Sequence, residues 1–156
     1  VAEFVPNQLT VRERALAALE QIIRTQPAGD YGFAWDLVVR APLRDWAYRK
    51  QRSLGIFDGR ETKRDLHMVR ECSLAVALEI KLVVQSSAQP SSEMNAYFGA
   101  VQRRLAEDPT LGGLVIDLVE TGNDSDVEDE NQRHVAGVLL YTMKYRHATK
   151  DPRRIV

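Results

Sequence analysis

Residues 123–131 read NDSDVEDEN, which sets five carboxylates into nine positions with no base among them. Carboxylates this dense serve a cation site, a solvated spacer or a charged contact surface. The spacing Asp124-x-Asp126-x-Glu128 imitates the opening of a calcium loop. Such a loop needs glycine at its sixth position for the sharp turn and a bidentate glutamate at its twelfth. Here those positions are Asp129 and Val135, so the stretch reads as a solvated hairpin loop and no metal is expected.

Glu79-Ile80-Lys81 has the E-x-K form in which a glutamate holds a divalent ion and a lysine steadies an attacking water. That chemistry needs a further aspartate beside the pair. Asp65 falls in the same alternating run as Glu79, and Asp58 falls in a loop, so ion pairing between strands is the favoured reading. His67, His134 and His147 are far apart, and the first two lie on the polar faces of alternating segments. Cys72 is the only cysteine and lies on an apolar face, where it reads as core. Leu111-Gly112-Gly113-Leu114 has neither the lysine nor the length of a phosphate loop. No set of residues assembles a catalytic site, and no cofactor is expected.

The 156 residues suit a single domain over 1–156. Hydrophobic residues make up 44% and charged residues 28%, enough for one core and a soluble surface. No apolar run is long enough to span a bilayer. The first ten residues, VAEFVPNQLT, lack the basic-then-apolar order of a signal peptide. One cysteine fits synthesis in a reducing compartment. A net charge of −1 argues against non-specific grip on nucleic acid, but it hides an asymmetry. Residues 40–70 carry nine Lys/Arg against four acids, whereas residues 117–130 carry seven acids and no base. Two solvated loops would explain this, as would a basic loop and an acidic loop that meet across a subunit interface.

The elements that must position these residues follow from periodicity. Thr10-Val11-Arg12-Glu13 is a capping box, and Val11, Ala15, Leu19, Ile22 and Ile23 recur at helical spacing, so a helix is expected over 11–25. Phe33, Trp35, Leu37 and Val39 alternate as in a strand closed by Pro42. Residues 43–62 read as a long irregular basic stretch, whose apolar Trp46, Tyr48, Leu54, Ile56 and Phe57 suit a hairpin tip or a surface that a partner covers. Alternation from Leu66 to Val84 predicts a further strand. Residues 64–85 fully extended would reach about 70 Å. A domain of this size has a radius of gyration of only about 15 Å, so the strand must bend, break or project. Ser91 or Ser92 caps a second helix with Met94, Tyr97, Phe98, Val101 and Leu105 on one face. Strands over 114–119 and 135–145 flank the acidic loop 121–132. The order α-β-β-α-β-β predicts an α+β fold: an antiparallel sheet, with mixed pairing possible, two helices on one face and a long projecting β-hairpin or loop.

With these elements in order, the chain resembles the tail terminator (tail-completion, minor tail protein U-like) proteins of tailed bacteriophages. The resemblance covers most of the chain. It rests on the N-terminal helix followed by Trp35-Asp36-Leu37-Val38-Val39, the long strand Ser73–Val84, Leu111-Gly112-Gly113-Leu114-Val115-Ile116-Asp117-Leu118, and Gly137–Tyr145 leading into Tyr145-Arg146 and Asp151-Pro152. It implies a structural virion protein at the neck, made in the bacterial cytoplasm and without enzymatic activity. Such a protein forms a ring, usually a hexamer, that caps the tail tube, ends its polymerisation and joins the tail to the head–neck connector. Its partners would be copies of itself, the tube protein, the connector and, in a contractile tail, the sheath. DNA passes through the lumen, and no membrane is involved. Interface residues are expected among Arg44, Trp46, Tyr48, Arg49, Lys50, Arg52 and Arg64 and, opposite them, Asp124, Asp126, Glu128, Asp129 and Glu130. The alternatives are another neck or head-completion ring protein, or a nucleic-acid-binding module built on basic segment 40–70. Asp126→Lys combined with Glu128→Lys is expected to weaken assembly or slow DNA passage; unchanged ring formation and infectivity would refute this.

Overall fold

The computed structural model describes residues 9–42, 46, 50–85, 89–129 and 133–156, with side chains for all of these except 126–129. Among these residues three helices and five strands follow in the order α1 (Val11–Arg24), α2 (Ala28–Tyr31), β1 (Leu37–Arg40), β2 (Arg52–Leu66), β3 (Val69–Val83), α3 (Pro90–Ala106), β4 (Asp117–Asp129) and β5 (His134–Ala148). The strands form one sheet in the order β1-β2-β3-β5-β4. Only β1 and β2 are parallel; the remaining pairs are antiparallel, so the sheet is mixed.

Strand β3 is the centre. It pairs with β5 along its whole length on one side and with β2 on the other, apart from a bulge opposite Ala75. Alternate side chains from Cys72 to Val84 are buried, as the period-two pattern predicts. Helices α1 and α3 pack on that face. The first places Val11, Ala15, Leu16, Leu19 and Ile23 against the sheet, and the second places Met94, Phe98, Val101 and Leu105 there. The Thr10 hydroxyl accepts from the Glu13 amide at 3.1 Å, which fixes where α1 starts. The carboxylate of Glu13 turns instead to Arg40 on β1.

Several boundaries differ from the periodicity reading. The alternating run 64–85 is broken by a turn at His67, whose φ is 65°, so Leu66 ends β2 and Val69 begins β3. Met68 falls inside the alternating run, but it is 74% exposed at the hairpin tip. Residues 43–62 are not one irregular stretch: β2 begins at Arg52, and Leu54 and Ile56 are buried core. Tyr48, in the same stretch, lies outside the described residues. Phe33 and Trp35 precede the strand and form an aromatic cluster with Tyr97 of α3, with ring centroids 4.6–5.7 Å apart. Helix α3 begins at Pro90 with Gln89 as N-cap, because proline fits the first helical position without a lost donor. The acidic stretch is strand rather than hairpin loop as far as Asp129, since β5 offers it backbone partners as far as His134.

A polar network fastens α1 to the long hairpin. Arg12 reaches both Asp58 and Glu61 of β2. Glu61 also accepts from the Tyr145 hydroxyl of β5 and pairs with Lys63 at 3.4 Å. Burial, and then the bond to Glu61, push the Tyr145 hydroxyl far above its ordinary pKa, so it stays a donor. Burial also pushes the Cys72 thiol up, in keeping with a core role. Burial raises the Asp58 carboxyl, but the hydrogen bond and charge of Arg12 outweigh this and hold it below its ordinary 3.8. A carboxyl lowered by folding adds stability that is complete above its ordinary pKa and is lost as pH falls through the folded value.

Arg12→Ala should cost about 1–2 kcal/mol at pH 7, and its deficit against wild type should shrink as pH falls below 3.8, measured by urea denaturation across pH. A Cβ on Gly137 would lie 2.5 Å from the Met94 sulfur and 2.7 Å from the Phe98 ring, so Gly137→Ala should cost about 1–3 kcal/mol. Gly122→Ala, with nothing within 4 Å of its Cβ, should change thermal stability by less than about 0.5 kcal/mol.

Candidate assembly interface

The sheet's second face is covered by none of the three helices. On β3 it carries Glu71, Ser73, Ala75, Ala77, Glu79, Lys81 and Val83, the residues that alternate with the buried set. Registry adds Ala136, Val138, Leu140, Thr142, Lys144 and Arg146 from β5. Strand β4 adds Asp117 and Val119 and, after a bulge, Gly122 and Asp124. The bulge between Glu120 and Gly122 changes which side chains share a face. Glu120, just before the bulge, points to the helical side, where Gln102 donates to it at 2.9 and 3.0 Å, and the even-numbered Gly122 and Asp124 after it take the open face. The middle of the open face is small and apolar, with Leu140 42% and Val119 48% exposed.

Charges on this face are largely neutralised within the chain. Lys81 lies 3.6 Å from Glu79 and 5.9 Å from the ring of Trp46. Arg146 donates twice to Glu71, at 2.9 and 3.0 Å, and that hydrogen bond holds the Glu71 carboxyl below its ordinary pKa. Across the hairpin tip Arg70 does the same for Asp65, at 2.6 Å.

The E-x-K reading needed an aspartate beside Glu79. The hairpin turn does separate Asp65 from Glu79, contrary to the uninterrupted strand expected, yet it places Asp65 at the tip opposite Arg70. Asp58 is on the helical face with Arg12. Glu79 borders a shallow hollow shared with Asp124, Ser125, Ala136, Gly137 and Val138. Among the described residues no three His, Cys, Asp or Glu side chains group as a metal site.

The expected interface residues are spread as follows. Arg44, Tyr48, Arg49 and Glu130 lie outside the described residues. Trp46 packs on Gly55, whose Cβ would lie 2.9 Å from its ring. Arg52 is turned inward: its side chain donates to the Tyr97 hydroxyl at 2.6 Å and its amide to Asp36 at 2.9 Å. Lys50 is exposed just before β2, and Arg64 is exposed near the end of that strand. Asp124 is exposed on β4 and accepts from the Ser125 amide at 2.8 Å. Asp126, Glu128 and Asp129 lie on the same strand.

Segment 40–70 is thus not one basic surface, because Arg40, Arg52 and Arg70 are held by partners within the chain. Residues 52–66 and the acidic strand 117–129 lie toward opposite edges of one sheet. Sequence reasoning missed those edges. Periodicity reports which face a side chain takes, and it carries no signal for which strands lie outermost.

No family model matches the chain, and no curated protein matches it. Among solved structures, a chain from the virion of a native gene transfer agent particle is similar at 13% identity and a TM-score of 0.44, over 82% of this chain and 91% of that one. The cryo-EM structure of the sheath/tube terminator of an extracellular contractile injection system (PVC), in its extended state, is similar at 12% identity and a TM-score of 0.40. That likeness covers 97% of this chain and 60% of that one, so the chain spans about three fifths of that neighbour's length. At these scores the function of this chain has to be argued from its own residues and geometry.

Proposed function

We propose that the chain is a structural, ring-forming protein of the tail-terminator type. The observation that carries this reading is a sheet finished on its helical side and unfinished at both edges. Among the described residues strand β4 is outermost and pairs with β5 alone. On the other side β1 covers β2 only from Ser53 to Ile56. Long free edges expose backbone donors and acceptors, and soluble proteins normally blunt or cover them. A heterologous contact that closes on itself covers both edges in every copy and leaves none over.

The open face suits the lumen of such a ring. Its middle is small and apolar, and Lys81 and Arg146 are engaged by Glu79 and Glu71, so few fixed cations there are left to hold a passing polyanion, with Arg64 set out toward the β2 edge. Together with the sequence resemblance, this supports a hexameric ring that caps the tail tube, stops its growth and meets the head–neck connector above it. Tube protein, connector and, in a contractile tail, sheath would be its neighbours in the virion.

Native mass spectrometry and negative-stain imaging of the purified chain test the reading. The expected result is a closed ring with a central channel. A chain that stays monomeric at every concentration, and also beside assembled tubes, would overturn it. A salt-dependent complex of the monomer with DNA would instead favour a nucleic-acid-binding module.

A further inference from the structure

We infer that the ring closes by strand pairing between copies: β4 of one subunit pairs antiparallel with the outer half of β2, residues 58–66, of the next. This inference rests on the ring-forming reading and adds the surfaces that meet.

Direction is the first argument. Strand β2 is antiparallel to β3, β3 to β5, and β5 to β4. The two long edges therefore run in opposite senses. Rotation about an axis roughly along the strands keeps each strand's sense in every copy. It sets β4 of one copy antiparallel to β2 of its neighbour, the pairing that already builds most of this sheet.

Availability is the second. Asp58 and residues 61–66 pair with β3, with a bulge at 59–60, and none of 58–66 has a β1 partner; Gly59, Arg60 and residues 62–65 are exposed. No backbone bond from residues 117–129 to any element but β5 is present among the described residues.

Charge is the third. Strand β4 carries six carboxylates and no base. On β2 the acids are already engaged, Asp58 and Glu61 by Arg12 and Asp65 by Arg70. Arg60 and Arg64 form no salt bridge among the described residues, so the β2 edge presents net positive charge to a neighbour. Registry within the chain places Arg64 in line with Glu71, and Asp124 in line with Val138. Both therefore stand on the open face. A sheet that closes must be staggered. A stagger that slides β4 toward the neighbour's hairpin tip brings Asp124 level with Arg64 and makes them a cross-strand pair on one face.

The test uses the full chain and reads its oligomeric state, with circular dichroism to confirm folding. Arg64→Asp and Asp124→Arg, each alone, should weaken assembly by about tenfold or more at each contact, and the two together should restore it. Hydrogen exchange of wild-type rings should show the amides of 59–66 and 122–129 slowed relative to the diluted monomer. Rings that form undiminished in both single variants overturn this pairing while leaving the ring-forming reading in place. So do a double variant that stays as weak as the singles, and wild-type rings whose edge amides exchange as in the monomer. A wild-type chain that never assembles overturns both readings.

Discussion

Two-sided pairing of β3 is the constraint on which the rest depends. A central strand satisfies its backbone on both sides and leaves only its two faces to decide. Here the faces are decided unequally. Cys72, Leu74, Val76, Leu78, Ile80 and Leu82 are buried against α1 and α3, whereas Ser73, Ala75, Ala77, Glu79 and Lys81 face away from them. A one-residue slip of β3 would exchange the two sets. Placement of the helices, the shape of the open face and the positions of both edges all follow from this register.

Polar groups are arranged to protect that register. Arg12 draws Asp58 and Glu61 toward α1, and Tyr145 donates to Glu61 from the far side of β3. One carboxylate thus links α1, β2 and β5 across the central strand. Removing any member would leave another partly buried group without its partner, which costs more than the net value of one surface pair. Nearer the hairpin tip, Arg70 with Asp65 and Arg146 with Glu71 tie neighbouring strands together. The consequence reaches assembly. Part of what looked in sequence like a free basic segment is committed within the subunit, and among the described residues Arg60 and Arg64 on the outer part of β2 form no salt bridge.

The same logic gives the acidic stretch its place. A hairpin loop with five carboxylates needs only solvent. An edge strand with six is different. Its charges discourage promiscuous pairing along an exposed backbone, the usual hazard of a sheet edge, and favour a partner of opposite sign. Specificity and solubility then come from one set of residues.

Amphipathic helices and alternating strands are legible in the sequence because burial repeats with the period of the element. Thr10, the stripe on α1 and the alternation from Cys72 to Val84 show this, and so did the two-helix, one-face architecture. Limits came wherever the deciding partner was distant in sequence. His67 takes a left-handed conformation because β2 and β3 pair on either side of it, and alternation continues through the turn undisturbed. The carboxylates of 123–129 look like a loop by composition, yet β5 supplies the backbone partners that make a strand. Arg52 looks like a surface cation, but its guanidinium donates to Tyr97 and its backbone amide to Asp36. The sequence by itself determined the faces, since these depend on local period and hydrophobicity. Only the tertiary structure decided the edges, since these depend on which strands find partners across the sheet.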